Sequence, residues 1–390
     1  MNPYVALRLH EIYKALCCEL KQSTSSVDPN ILQRLIDQSK WFPCDINPSH
    51  MYIWAFRYAC VEGHLHVAQW LVKVSHDVIS NYMSQTYALE YACAHGHLRM
   101  AQWLIKTFSD FIYNHVDHTF VFELACERGH LHVAQWLVET FRDIKYYNDE
   151  CCVFVNACDS GHLHVAQWFL RRFPNIIGQA YDVALTQTCI NGHFHVVQWL
   201  ISLLPNGNES VTVCRNLVQW FTTFNGVIPR YYNNVFFLSC THGYLHMAQW
   251  ILKVLPPMDD LFYNHIFSVT CSSGHLQVAQ WLVRMFPNID SRAKDDRAFR
   301  WTCSNGYLHV AEWLIRMFPN IDHRADSDYA FRMTCKKGHL PVVKWLVRMY
   351  PNIGYSVRYD ALQEAKQYRS YHVVRWLIGT FPDLLYMKKK

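Results

Sequence analysis

A chain of 390 residues with 51% apolar and 17% charged side chains can bury ample surface, which excludes a disordered polymer. Lys plus Arg (36) against Asp plus Glu (31) leaves +5, too mild a charge for a dedicated nucleic-acid binder. The 15 cysteines are odd in number and nine recur at one motif position, so they read as small buried hydrophobes in a reducing, cytoplasmic compartment.

Residues 1–30 are expected to cap the structure. Val5, Leu9, Ile12, Leu16 and Leu20 give an apolar helical face, and Arg8, Glu11 and Lys14 rule out a signal-peptide core. Apolar runs elsewhere are interrupted by charge, as at Arg215, so no membrane span is expected. A polar break at 24–29 leads to Ile31–Ile36, which looks like the second helix of a repeating unit.

The repeat itself is unmistakable from residue 60 onward. Cys60-Val61-Glu62-Gly63-His64-Leu65-His66-Val67-Ala68-Gln69-Trp70-Leu71-Val72 returns almost unchanged at Cys126–Val138. Substituted copies start at Cys93, Cys158, Cys189, Cys240, Cys271, Cys303 and Cys335. The intervals between the motif glycines are 33, 33, 32, 31, 51, 31, 32 and 32 residues. Such a period implies stacked supersecondary units instead of one closed core.

Each unit resolves into two helices. Ten residues before the glycine stand Thr86, Thr119, Asp182, Asn233, Asn264, Asp296 and Asp328, helix-capping types that predict a helix start. A large residue comes next (Phe56, Phe122, Phe267 and equivalents), then a small one a turn later (Ala59, Ala125, Thr270), then the cysteine. The glycine predicts a left-handed stop. The second helix runs to stops such as Phe173-Pro174-Asn175 or Phe286-Pro287-Asn288. His66, Gln69 and Lys73 form its one polar ridge, so the rest is sandwiched. The 51-residue interval hides an eroded unit around Leu217–Phe221, so a kink is expected at 205–234. The domain reading is a cap at 1–30, repeats at 31–204 and 235–381, and a basic tail at 382–390, about twelve units in all.

The run Ala59-Cys60-Val61-Glu62-Gly63-His64-Leu65-His66-Val67-Ala68-Gln69-Trp70-Leu71 resembles the ankyrin repeat, with tryptophan where that family has leucine. The variant is similar to ankyrin arrays of large amoebal viruses and protists. The resemblance covers roughly residues 30–380 and implies an all-α solenoid of helix-turn-helix units. The family's Thr-Pro-Leu-His opening and Gly-Ala-Asp-x-Asn hairpin are missing, so its projecting hairpin fingers are expected to be reduced or absent. It also implies a binding scaffold without catalysis or cofactor, holding a protein partner on the concave face of the first helices.

His64-x-His66 invites a zinc reading, but zinc needs three or four N/S donors about 2.0–2.3 Å from one point. Arg99, Gln277, Tyr244 and Tyr307 replace one member of the pair, so loop hydrogen bonding for the first histidine and a solvent ridge for the second are expected. The tryptophan column from Trp70 to Trp376 reads as core, not as a base-stacking platform. No nucleophile elbow, Walker loop or HExxH is present. Charge divides along the first helices: Glu62, Glu90, Glu123 and Glu127 early, beside Arg57 and Arg128, with Arg297, Arg300, Arg332, Lys336 and Lys337 late, around Trp301 and Met333. Arginine beside an aromatic is the composition of an interface hot spot. The expected site is therefore Arg297, Arg300, Trp301, Arg332, Met333, Lys336 and Lys337, facing an acidic protein. A ubiquitin-ligase adaptor and nucleic-acid binding by the basic C-terminal third are the alternatives, and a monomer is expected.

Overall fold

The computed structural model describes residues 11, 13–16, 48–75, 79, 82–142, 144, 152–173, 177–203, 228–253 and 259–385. Among them are twenty-one α-helices, one 3-10 turn and no strand. The described residues form a helical repeat, and the chain divides into two compact units: residues 1–188 with 198–220, and residues 189–197 with 221–390.

The first unit opens with the pair α1 (Pro48–Glu62) and α2 (Leu65–Val74) and continues with α3 (Tyr82–Ala94) and α4 (Leu98–Thr107). A short α5 (Ser109–His115) precedes α6 (His118–Glu127) and α7 (Leu131–Thr140), then α8 (Cys152–Asp159) and α9 (Leu163–Arg172). Helices α10 (Ile177–Ile190) and α11 (Phe194–Ser202) carry the chain across the division. The second unit holds α12 (Ile228–Thr241), α13 (Leu245–Leu252), α14 (Asp260–Ser272), α15 (Leu276–Met285), α16 (Ala293–Ser304) and α17 (Leu308–Met317). It ends with α18 (Ala325–Lys337), α19 (Leu340–Met349), α20 (Tyr355–Gln367) and α21 (Tyr371–Thr380). These make ten helix pairs. The remaining expected units, the eroded segment up to residue 227 and the tail from 386 onward lie outside the described residues, as does most of the cap. From the cap, Tyr13 is buried against Trp54 and Tyr58, and its hydroxyl is 2.8 Å from His64 Nδ1.

The large, small and cysteine columns of the first helices are the core. Phe56, Phe122, Phe154, Phe236, Phe267 and Phe299 are wholly buried, as are Ala59, Ala92, Ala125 and Ala157 one turn on. At Thr188, Ser239, Thr302 and Thr334, which take the small position, the hydroxyl bonds back to the carbonyl four residues earlier, whereas the buried Thr270 hydroxyl does not. Most second helices end at aromatics, with Phe173, Phe286, Phe318 and Tyr350 among the C-caps, whereas α2 ends at Ser75 and α13 at Lys253.

Neighbouring pairs interlock at the glycine. All nine motif glycines have positive φ, from 70° to 86°. Gly63 also leaves room for the next unit's imidazole: a Cβ there would lie 2.4 Å from His97 Nδ1. That ring donates from Nε2 to the Val61 carbonyl at 2.8 Å, spanning units. Gly96 and His130, Gly129 and His162, Gly243 and His275, and Gly306 and His339 repeat the seat. Tyrosine substitutes without loss: Tyr244 occupies the seat over Gly192 and its hydroxyl donates to the Ile190 carbonyl at 2.9 Å. The second histidine of the motif does more than line a solvent ridge. His132, His164, His309 and His372 are exposed, yet each donates to the preceding unit's glycine carbonyl.

Two expectations need correction. The polar residues ten before the glycine are not caps. Helix α6 is capped by Asp117, which accepts from the Thr119 and Phe120 amides, and α14 by Asp259. Asn264 and Asp296 lie inside helices and accept from the Asp290 and Asp322 amides of the following loop. A loop amide facing the stack needs an acceptor as much as a helix end does, and the same residue types supply it. The described tryptophans of the column from Trp70 to Trp376 are likewise half-buried, Trp313 alone among them being buried. Five of the rings lean on a phenylalanine of the preceding unit's first helix, among them Trp168 on Phe122, Trp281 on Phe236 and Trp313 on Phe267, centroids 6.2–6.4 Å apart.

Candidate binding face

The expected site residues all fall on α16 and α18, whose first helices pack on one another and then on α20. The first turn of α18 is left-handed at Asp326, Ser327 and Asp328, and regular helix continues beyond it. Arg297 and Trp301 are one turn apart on α16, with the guanidinium carbon 4.1 Å above the indole centroid. Trp301 is 36% exposed. Arg300 is different. It is 7% exposed, ion-paired to Asp326, donates to the Lys294 carbonyl and sits over the Tyr329 ring. It holds α16 to α18 and offers little to a partner.

The other cations also have partners within the fold. Arg332 donates from Nε to the Ser327 carbonyl and lies 3.3 Å from Glu364 on α20. Lys336 rests 4.2 Å from the Tyr368 ring, and Lys337 donates to Asn305 Oδ1 at 2.7 Å. Met333 is half-buried beside them. The face is thus a ladder of cations, each engaged by an aromatic, amide or carboxylate of its own or an adjoining helix. It shows water Trp301, the 56%-exposed Tyr368 and Lys337. Tyr368 escaped the sequence reading because its unit lacks the glycine. Arg369, with φ 61°, takes that place, and the register could have been recovered from Ser370 and His372.

The first helices of the first unit carry carboxylates instead. Burial, then the nearby Asp117 carboxylate, lifts the carboxyls of Glu90 and Glu123 above the usual range. Arg57 lies over the Tyr87 ring at 4.9 Å, and Phe120 is 44% exposed. Glu127 and Arg128 form a solvent-exposed pair at 3.9 Å. The motif thiols are no nucleophiles: burial pushes Cys189 up to about 12 and lifts the other eight well above the ordinary thiol range. The two histidines of each motif have ring centroids 6.0–6.4 Å apart, and both rings serve the joints between units.

Residues 56–105 match the family model for ankyrin repeats (many copies). This stretch is ankyrin-repeat sequence. It spans two helix pairs, from Phe56 in α1 to Ile105 in α4, and helix pairs with the same glycine turn recur among the described residues of both compact units. No curated protein matches the chain. No helix among the described residues is long and apolar enough to cross a membrane.

Proposed function

We propose that this ankyrin-repeat chain is a non-catalytic scaffold whose protein partner lies against the first helices α16, α18 and α20. Ankyrin repeats are protein-interaction modules, and the observation that favours this end of the chain is the exposed Trp301 held flat by Arg297. Large aromatics fixed by a neighbour add contact area at little entropic cost, the usual anchor of an interface. Met333, Lys336, Lys337 and Tyr368 form the surround, and residual positive charge selects an acidic partner. Of the three cations on α18 only Arg332 is paired with a carboxylate, Glu364; Lys336 and Lys337 rest on the neutral Tyr368 ring and Asn305 amide and keep their charge for the partner. Nine buried free thiols suit a reducing compartment.

The test is a photo-crosslinking amino acid at position 301 of the full chain, expressed in the native cell. One specific protein adduct should form, and Lys336→Glu with Lys337→Glu should abolish it. An adduct pattern identical to that of the same probe at Val183, on an earlier first helix, would overturn the assignment.

A further inference from the structure

We propose a second docking ridge at the C-terminal ends of α15, α17 and α19, shaped for an acidic amphipathic α-helix. These helices close on the same pair in three successive units: Arg284-Met285, Arg316-Met317 and Arg348-Met349, 32 residues apart. The methionines are 49%, 48% and 47% exposed, and all three arginines are exposed. At the same position other units carry Val74, Thr107, Thr140 and Arg172, so the helix end itself has no need of methionine. The arginines alone would be unremarked, because a cation complements a helix's carbonyl end, as Lys73 and Lys106 do. The methionines carry the inference.

Each methionine continues into a half-buried aromatic C-cap and an exposed proline, so every unit presents a small apolar ledge edged by one arginine. Methionine suits such a ledge, since its unbranched thioether adapts to the surface laid on it. Neighbouring units in the stack repeat at about a helix-packing distance, 8–10 Å. Seven residues of an α-helix advance about 10.5 Å. A helix lying along the stack therefore meets each methionine with one apolar residue per heptad, and each arginine with a flanking carboxylate. The adjoining ridge positions add Lys344 and Arg375 against Glu312, so the surrounding charge also calls for an acidic occupant. An anionic bilayer is less suited, because an interfacial anchor inserts bulky Trp, Phe or Leu side chains and here only half-exposed methionines protrude. The ridge lies on the second helices, and it holds or fails independently of the first-helix face.

The full chain, labelled at the methionine methyl carbons for NMR, is titrated with a 21-residue synthetic helix. That helix carries one leucine per heptad flanked by glutamates, with alanine elsewhere. Saturable shifts of Met285, Met317 and Met349 are expected. The triple Met→Gln variant should lose about tenfold in affinity with its thermal unfolding unchanged, and the triple Arg→Gln variant should lose the salt dependence of binding. Four results would overturn the ridge: no saturable shift, equal binding of a peptide with the same composition in shuffled register, a triple Met→Gln variant that binds as well, or methyl shifts with phosphatidylserine vesicles and none with the helix.

Discussion

Replacing Gly63 by alanine should be among the costlier single-methyl additions in the molecule. Two effects act together. At φ 70° an L-residue sits in the left-handed region at a cost of about 1–2 kcal/mol. The new methyl would also stand 2.4 Å from Nδ1 and 2.6 Å from Cε1 of His97, so the ring must leave and its hydrogen bond to the Val61 carbonyl breaks. A partly buried bond of this kind contributes about 0.5–1.5 kcal/mol, which brings the loss to about 1.5–3.5 kcal/mol. Gly379→Ala is the control: it lies within α21 with nothing inside 4 Å of its would-be Cβ, and should stabilise by about 0.5–1 kcal/mol. Urea unfolding of Gly63→Ala, His97→Ala and the double variant, monitored by far-ultraviolet circular dichroism, separates the two effects. If the seat is real, the double variant costs clearly less than the sum of the singles, because no ring remains to displace. Strict additivity, or a Gly63→Ala loss below about 0.5 kcal/mol, refutes the interlock.

Acid should loosen the stack in a defined window. Partial burial holds His130, His275 and His339 below the ordinary imidazole range, so the unfolded chain takes up protons first. Their contribution is full above about pH 6.5 and drains as pH falls through the lowered folded values, which denaturation midpoints between pH 7.5 and 5 will check. Glu90 and Glu123 act in the opposite sense: their raised folded values make them a stability loss as pH rises, so Glu90→Gln with Glu123→Gln should raise the midpoint at pH 7. The nine motif thiols should resist a soluble disulfide reagent in native buffer and react once denaturant opens their unit. Mass-resolved labelling of any of them at the rate of an exposed thiol would contradict their burial. Phe267→Ala should cost about 3–5 kcal/mol and redden Trp313 emission, since that ring supports both Trp313 and Phe318 across the joint.

The parts of the fold that repeat were legible in the sequence, because a periodic position announces a periodic environment. The glycine stops, the buried phenylalanine and cysteine columns and the aromatic C-caps all came from spacing. Residues whose role depends on the next unit were harder. Asn264 and Asp296 look like helix caps because capping and bridging to a loop amide demand the same acceptor. Arg300 reads as exposed until Asp326 and Tyr329, both on the neighbouring first helix, are seen to enclose it. Helix α5 had no motif to announce it, being a short insertion inside an unchanged period of 33. At the binding face, Trp301 with Arg297 was recoverable from i, i+4 spacing, whereas Tyr368 was hidden by the missing glycine of its unit.

The seat also explains which substitutions the motif accepts. Over each glycine the chain needs a flat ring, because only an edge fits beside the glycine Cα, and a donor at its far end to satisfy a carbonyl of the preceding helix. Histidine meets both demands through Nε2, and tyrosine through its hydroxyl, as Tyr244 does to Ile190. Over Gly338 alone among these seats no ring takes the histidine position: the small Ser370 stands there and reaches the Lys336 carbonyl at 2.8 Å instead. His97→Tyr should therefore leave the unfolding free energy within about 0.5 kcal/mol of the parent. His97→Phe keeps the ring but strands the Val61 carbonyl, and should cost about 1–3 kcal/mol for an unmet buried acceptor. Equal loss in both variants would mean that ring shape alone fills the seat, and the donor would then be incidental to the joint.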